Sequence, residues 1–156
     1  MMLKEGDKAP NFTLWASDKS EISLADYRGK PVVIVFFPMA FTGVCTEELC
    51  SIRDERADYN SLNAEILAIS VDTVPSLAKF KEEQSYNFPL LSDFNKEVSM
   101  AYGSYYDDFV FGMKGVSKRS AFVIDKEGIV RYAEVLESAK DIPNFKAIKG
   151  TIAELK

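Results

Sequence analysis

Two short stretches of the chain are apolar at nearly every position. Pro31-Val-Val-Ile-Val-Phe-Phe-Pro38 and Ala64-Glu-Ile-Leu-Ala-Ile-Ser-Val-Asp72 are rich in β-branched and large apolar residues. Runs of this length without alternation predict central strands covered on both faces. Between them Leu49, Ile52, Tyr59 and Leu62 recur close to helical spacing, with Glu47 and Glu48 near the start, where the helix dipole favours negative charge. The pattern predicts a strand-helix-strand crossover.

The flanking segments read differently. Asn11 to Ala16 and Glu21 to Leu24 alternate in part and are separated by Ser17-Asp18-Lys19-Ser20, which predicts a hairpin. A second helix is expected from about Val74 to Ser85, with Pro75 in its first turn, and a shorter one from Lys96 to Tyr102, ended by Gly103. Ser120-Ala-Phe-Val-Ile-Asp125 and Ile129-Val-Arg-Tyr-Ala-Glu-Val135 flank the turn-rich Lys126-Glu127-Gly128 and suit an antiparallel pair, and Phe145 to Leu155 reads as a closing helix. A parallel crossover combined with antiparallel hairpins implies an α/β fold, one mixed sheet with helices on both faces. No linker or repeat divides the 156 residues, so residues 1–156 are expected to form one domain.

Composition narrows the chemistry. Apolar residues at 47% and charged ones at 28% match soluble globular proteins. A net charge of −5 without a basic block speaks against a nucleic-acid partner. The longest apolar stretch, Val32 to Phe37, falls far short of the roughly 20 residues that cross a bilayer. The Met-Met-Leu-Lys-Glu-Gly-Asp-Lys start has no apolar signal-peptide core, so a cytoplasmic location is expected. The absence of histidine removes the usual general base and the commonest metal ligand, and two cysteines alone make a poor zinc site.

Cys45 is the first candidate for chemistry. It follows Pro38 by seven residues and Thr42 by three, at the junction of the first apolar strand and the crossover helix. Ligand sites in α/β sheets gather at such carboxyl ends of strands. If Thr42 caps the helix, Cys45 lies in the first turn, where unpaired N–H groups and the positive dipole end favour a thiolate. Glu47 and Glu48 oppose that charge, so a cation is required, and Arg53 and Arg119 are both candidates. On the residues alone, Cys45 is equally well a small buried apolar side chain.

Cys50 stands five positions further on. On a helix this is a rise of ~7.5 Å and a turn of ~140°, placing the two Cα atoms roughly 8.6 Å apart. A disulfide needs Cα atoms within about 7 Å. The two cysteines can therefore join only if the helix unwinds locally, and Cys50 is otherwise a passive residue on the helix face.

Pro38-Met-Ala-Phe-Thr42-Gly-Val-Cys45 matches the P-x-x-x-T-x-x-C signature of peroxiredoxins, and the preceding Val-Val-Ile-Val-Phe-Phe resembles the strand that carries it. The likeness extends along the chain through Gly6-Asp-Lys-Ala-Pro-Asn-Phe-Thr-Leu14, Phe88-Pro-Leu-Leu-Ser-Asp93 and Arg119-Ser-Ala-Phe-Val-Ile-Asp125. Within that family it resembles the group of bacterioferritin comigratory protein and alkyl hydroperoxidase E. The resemblance implies a thioredoxin-like fold and a thiol peroxidase acting on hydrogen peroxide and organic hydroperoxides. It implies that Cys45 attacks the peroxide, that Thr42 and Arg119 position it and stabilise charge, and that Pro38 shields the pocket. Cys50 resembles the family's resolving cysteine on the same helix, with a thioredoxin-like dithiol as reductant. No flavin- or nicotinamide-binding glycine pattern is present, and no cofactor is expected.

Three questions stay open at this level. Some relatives work with one cysteine, so Cys50 need not resolve. A redox sensor or interaction module on the same scaffold would also oxidise at Cys45, whereas a thioredoxin-type disulfide exchanger would want the closer C-x-x-C spacing. Glu48 either orients the loop or simply favours the helix start. The aromatic segment of Tyr102, Tyr105, Tyr106, Phe109 and Phe111 either packs beneath a loop or forms a contact between two copies, making the chain a monomer or a homodimer.

Overall fold

Every residue of Val32–Phe36 is buried, and the side chains alternate between two cores. Val33, Val35 and Phe37 face one side, and Val32, Ile34 and Phe36 the other, as the two-residue period of a strand requires. Burying such a side chain stabilises by about 1.5–3 kcal/mol, so a strand apolar on both faces is drawn to the centre of a sheet. The computed structural model describes residues 3–155.

Seven strands make that sheet: β1 (Thr13–Ala16), β2 (Glu21–Ser23), β3 (Val32–Phe36), β4 (Glu65–Ser70), β5 (Leu90–Ser92), β6 (Ser120–Ile124) and β7 (Val130–Val135). Their order is β2-β1-β5-β4-β3-β6-β7. The β3, β4 and β5 strands run parallel, while the β1/β2 and β6/β7 pairs close the two sides antiparallel. The helices are α1 (Gly43–Asp54), α2 (Arg56–Ser61), α3 (Val74–Gln84), α4 (Glu97–Ala101) and α5 (Phe145–Glu154). Leu49, Ile52, Leu77, Phe80, Ile148 and Ile152 cover the core that contains Val33, and Phe12, Val98 and Tyr102 the core that contains Ile34. No helix among the described residues is long and apolar enough to cross a membrane.

The mixed sheet and its flanking helices agree with the sequence reading, and three details correct it. The crossover is two helices, broken at Glu55 (φ −104°, ψ 18°), with Lys149 of α5 bonding the Glu55 and Asp58 carboxylates across the break at 2.8 and 3.1 Å. Leu90–Ser92, which the sequence offers only as part of the family resemblance, is a buried strand between β1 and β4. The α4 helix begins after Lys96, whose left-handed backbone (φ 68°) cannot belong to a right-handed helix.

The aromatic segment divides. Tyr102 is a core residue whose hydroxyl donates to the Pro10 carbonyl at 2.6 Å, whereas Phe111 is 94% exposed.

Candidate active site

The site grows out of the end of β3. Phe37 still donates to the Ile69 carbonyl at 3.0 Å, but the buried Pro38 has no N–H and ends the ladder. The loop that follows is held from β4: Ser70 Oγ donates to Asp72 Oδ2 at 2.6 Å, and the same oxygen accepts the Ala40 N–H at 2.8 Å. Phe41 takes a left-handed backbone (φ 65°), a conformation that costs a bulky residue about 1–3 kcal/mol. Its ring lies 5.0 Å from that of Phe80 on α3, which offsets part of the cost.

Thr42 occupies the N-cap position of α1, but its side chain accepts no bond from the helix. Its hydroxyl donates instead to the Met39 carbonyl at 2.8 Å, closing the loop on itself. This corrects the expected side-chain cap. The first intrahelical bond runs from Thr46 N–H to the Thr42 carbonyl at 2.9 Å, so the preceding N–H groups, including that of Cys45, have no carbonyl one turn back. Cys45 is 1% exposed there.

Of the two candidate cations, the fold brings Arg119 to Cys45. The antiparallel register sets Ser120 opposite Phe36, so Arg119 stands just beyond the end of β3. Its Nη2 donates to Cys45 Sγ at 3.2 Å and to the Ala139 carbonyl at 2.9 Å, while Nη1 donates to Glu48 Oε1 at 2.6 Å. Arg53 is turned away, bonded to Asp54 and to the Gln84 carbonyl.

These residues meet at a fully buried ion pair beside a thiol, on a sheet whose relatives can be compared directly. A model described as the AhpC/TSA family matches residues 5–133. A putative peroxiredoxin of Mycobacterium tuberculosis is 42% identical over 156 residues, covering 99% of this chain and 93% of the relative. The chain belongs to the AhpC/TSA family of peroxiredoxins. Alkyl hydroperoxide reductase E of Mycobacterium bovis is 40% identical over 137 residues, 86% of each chain. The crystal structure of peroxidoxin BcpB from Mycobacterium tuberculosis superposes with a TM-score of 0.88 at 30% identity, covering 100% of this chain and 99% of that one. The mixed sheet is therefore the thioredoxin-like fold of peroxiredoxins, and the protein is a thiol peroxidase, with peroxides as substrates and a thiol as reductant.

Glu48 is the part of this peroxiredoxin site that sequence reasoning left undecided. Cys45, Glu48, Leu49 and Ile52 are the buried residues of α1, at i, i+3, i+4 and i+7. That spacing was the available signal, because it puts a carboxylate on the buried face beside the cysteine. The exposed Glu47 lies off that face. The Asp72 anchor and the Ala139 carbonyl were not anticipated; nothing local distinguishes a backbone carbonyl distant in sequence.

Burial pushes the Glu48 carboxyl up from 4.5 to about 7, against the pull of Arg119. The native state then holds this proton more tightly than the unfolded chain, so the stabilisation is complete below the unfolded value and is lost as pH rises through about 7. Wild type is expected to lose stability relative to Glu48→Gln across that window. Urea midpoints of both proteins at about pH 4.5 and about pH 8 check it, and midpoints that stay parallel would mean that folding does not raise the Glu48 carboxyl.

Cys50 lies apart from Cys45 in the same unbroken helix, and both thiols are free. It is half-buried, donates to Gln84 Oε1 at 3.5 Å and sits 3.8 Å from the Tyr86 hydroxyl. The fold thus assembles Pro38, Thr42, Cys45 and Arg119 around one junction and keeps Cys50 on a different side of α1.

Proposed function

We propose that Cys45 is the peroxidatic nucleophile and that Cys50 resolves it. The Cys45 thiolate attacks one peroxide oxygen, the O–O bond breaks, and its electron pair leaves with the other oxygen, which is protonated to water or an alcohol. Cys45 becomes a sulfenic acid. The observation that supports this reading best is the Arg119 Nη2 contact of 3.2 Å to Cys45 Sγ inside a buried site. A permanently charged donor in a low-dielectric pocket stabilises both the thiolate and the charge developing on the leaving oxygen.

The other roles follow from donor and acceptor counts. Thr42 has spent its hydroxyl proton on Met39, so towards a peroxide it acts as an acceptor of the O–H. Pro38 walls the pocket with a residue that presents no competing N–H. Met39 also borders a cleft of about 430 Å³ lined by Val71, Phe94, Met113 and Val116 together with Asp72, Lys96 and Lys114, and its apolar part suits the alkyl group of an organic hydroperoxide.

Resolution completes the cycle. Cys50 sulfur attacks the Cys45 sulfenic sulfur, the S–O bond breaks, and hydroxide leaves with the Cys50 proton as water. Because the helix holds the two cysteines too far apart to bond, α1 must unwind between them. A thioredoxin-like dithiol then reduces the disulfide by exchange.

The test is a free-thiol count with intact mass after one equivalent of hydrogen peroxide, on wild type and Cys50→Ser. Loss of both thiols and of two hydrogens in monomeric wild type, with a sulfenic acid in Cys50→Ser, is the expected result. A stable sulfenic acid in wild type with Cys50 still free would establish the one-cysteine mechanism instead.

A further inference from the structure

Cys50 is fastened to the far side of the site. Besides the Gln84 and Tyr86 contacts, the Tyr86 hydroxyl lies 3.5 Å from the Thr46 carbonyl, to which it donates. Thr46 is one residue past Cys45, so this single hydroxyl spans the turn of α1 that separates the two cysteines. The second half of α1 is tied to the same segment: Arg53 Nη1 donates to the Gln84 carbonyl, and Asn87 Nδ2 donates to the Arg53 carbonyl at 3.3 Å. The segment itself is packed into the core. The Tyr86 ring meets Phe80 edge-on at 5.1 Å and stacks on Phe88 at 5.5 Å, and Ser85 turns the chain sharply with a left-handed backbone.

We infer that Tyr86, with Gln84, is a latch on the helix turn between Cys45 and Cys50, and that releasing it governs the rate at which the two sulfurs join. The inference rests on the proposed resolving role of Cys50 and adds the residues that control it. Local unfolding of one turn costs what holds that turn, and here the holding groups lie outside the helix. Tyr86 meets the Cys50 sulfur only where the folded helix keeps that sulfur from Cys45, a contact that must part before the two sulfurs join, and so is a positioning residue for the second chemical step. A tight latch prolongs the sulfenic acid at Cys45 and gives a second peroxide time to oxidise it to the sulfinic acid, with loss of another water.

Tyr86→Phe is the informative variant, because it keeps the ring packing and removes only the hydroxyl. Its resolution step, followed by rapid quench and mass spectrometry, is expected to be about threefold to tenfold faster than wild type, the scale set by one net hydrogen bond. At high peroxide its ratio of disulfide to sulfinic acid rises by the same factor, a partition that a change in global stability alone would leave unmoved. Amide exchange across Thr46 to Arg53 in the reduced protein is expected to quicken in parallel. Unchanged resolution and unchanged exchange, with the disulfide still forming in wild type, would overturn the latch and leave the resolving role of Cys50 intact. No disulfide in wild type, with sulfinic acid yields equal to those of Cys50→Ser, would overturn both.

Discussion

Peroxide consumption by Cys45→Ser is expected to fall to the level of the blank, the largest activity effect of any substitution in the chain. The attacking species is a thiolate, and a serine hydroxyl stays protonated near neutral pH even with Arg119 beside it. Nothing in the site can take over: the chain has no histidine, and the Cys50 sulfur donates to Gln84 Oε1 on a different side of α1, away from Arg119. Folding should survive, because the smaller Oγ can still accept from Arg119 Nη2 and the change is close to isosteric. The measurement is hydrogen peroxide removal under a thiol reductant, with circular dichroism as the folding control. Residual turnover above the blank would take the reaction away from Cys45.

The second large effect falls on Arg119, where activity and stability separate. Arg119→Lys keeps the charge but loses the fork that reaches Cys45, Glu48 and Ala139 together. Losing one donor aimed at developing charge typically costs about 10²–10³ in rate, and a loss of that size in the second-order rate with peroxide is expected. Arg119→Met goes further and removes the cation that favours ionised Glu48, so burial holds that carboxyl neutral to a higher pH. Breaking a buried ionised pair from one side destabilises by up to about 3–5 kcal/mol, a penalty expressed above about pH 7, where wild-type Glu48 has lost its proton, and measurable as a lowered urea midpoint at about pH 8. That penalty should shrink in acid, where Glu48 carries its proton. If Arg119→Lys reacts with peroxide as fast as wild type, charge alone is enough and the bidentate geometry is irrelevant to the chemistry.

Both effects depend on contacts between residues far apart in the chain, and the sequence discloses such contacts unevenly. The strands β3 and β4 are legible because both faces of each are buried, which leaves no polar alternation to confuse with a helix. The β5 strand is not, since three residues carry no period. The break at Glu55 is invisible for a related reason: Leu49, Ile52, Tyr59 and Leu62 keep near-helical spacing across it, and only the Lys149 bonds from α5 show where the chain turns. Thr42 illustrates a different limit. Its place before the helix is readable, but whether its hydroxyl serves the helix or Met39 depends on a loop anchored by Asp72, just past the end of β4.

The sequence by itself therefore determined the order of the longer strands and helices, the junction that carries Cys45, and the helical spacing that keeps Cys50 from reaching it. These are local matters of side-chain period and backbone geometry, set within a few residues. The choice of Arg119 over Arg53 was implied by the family resemblance and not by the local pattern, and only the tertiary structure decided that Arg53 is turned to Gln84, that Glu48 is the buried partner of Arg119, and that Gln84 and Tyr86 hold the second cysteine. The physical reason is register. Pairing Phe36 with Ser120 brings Arg119 to the end of β3, and that pairing is chosen by the two cores together, not by any segment alone.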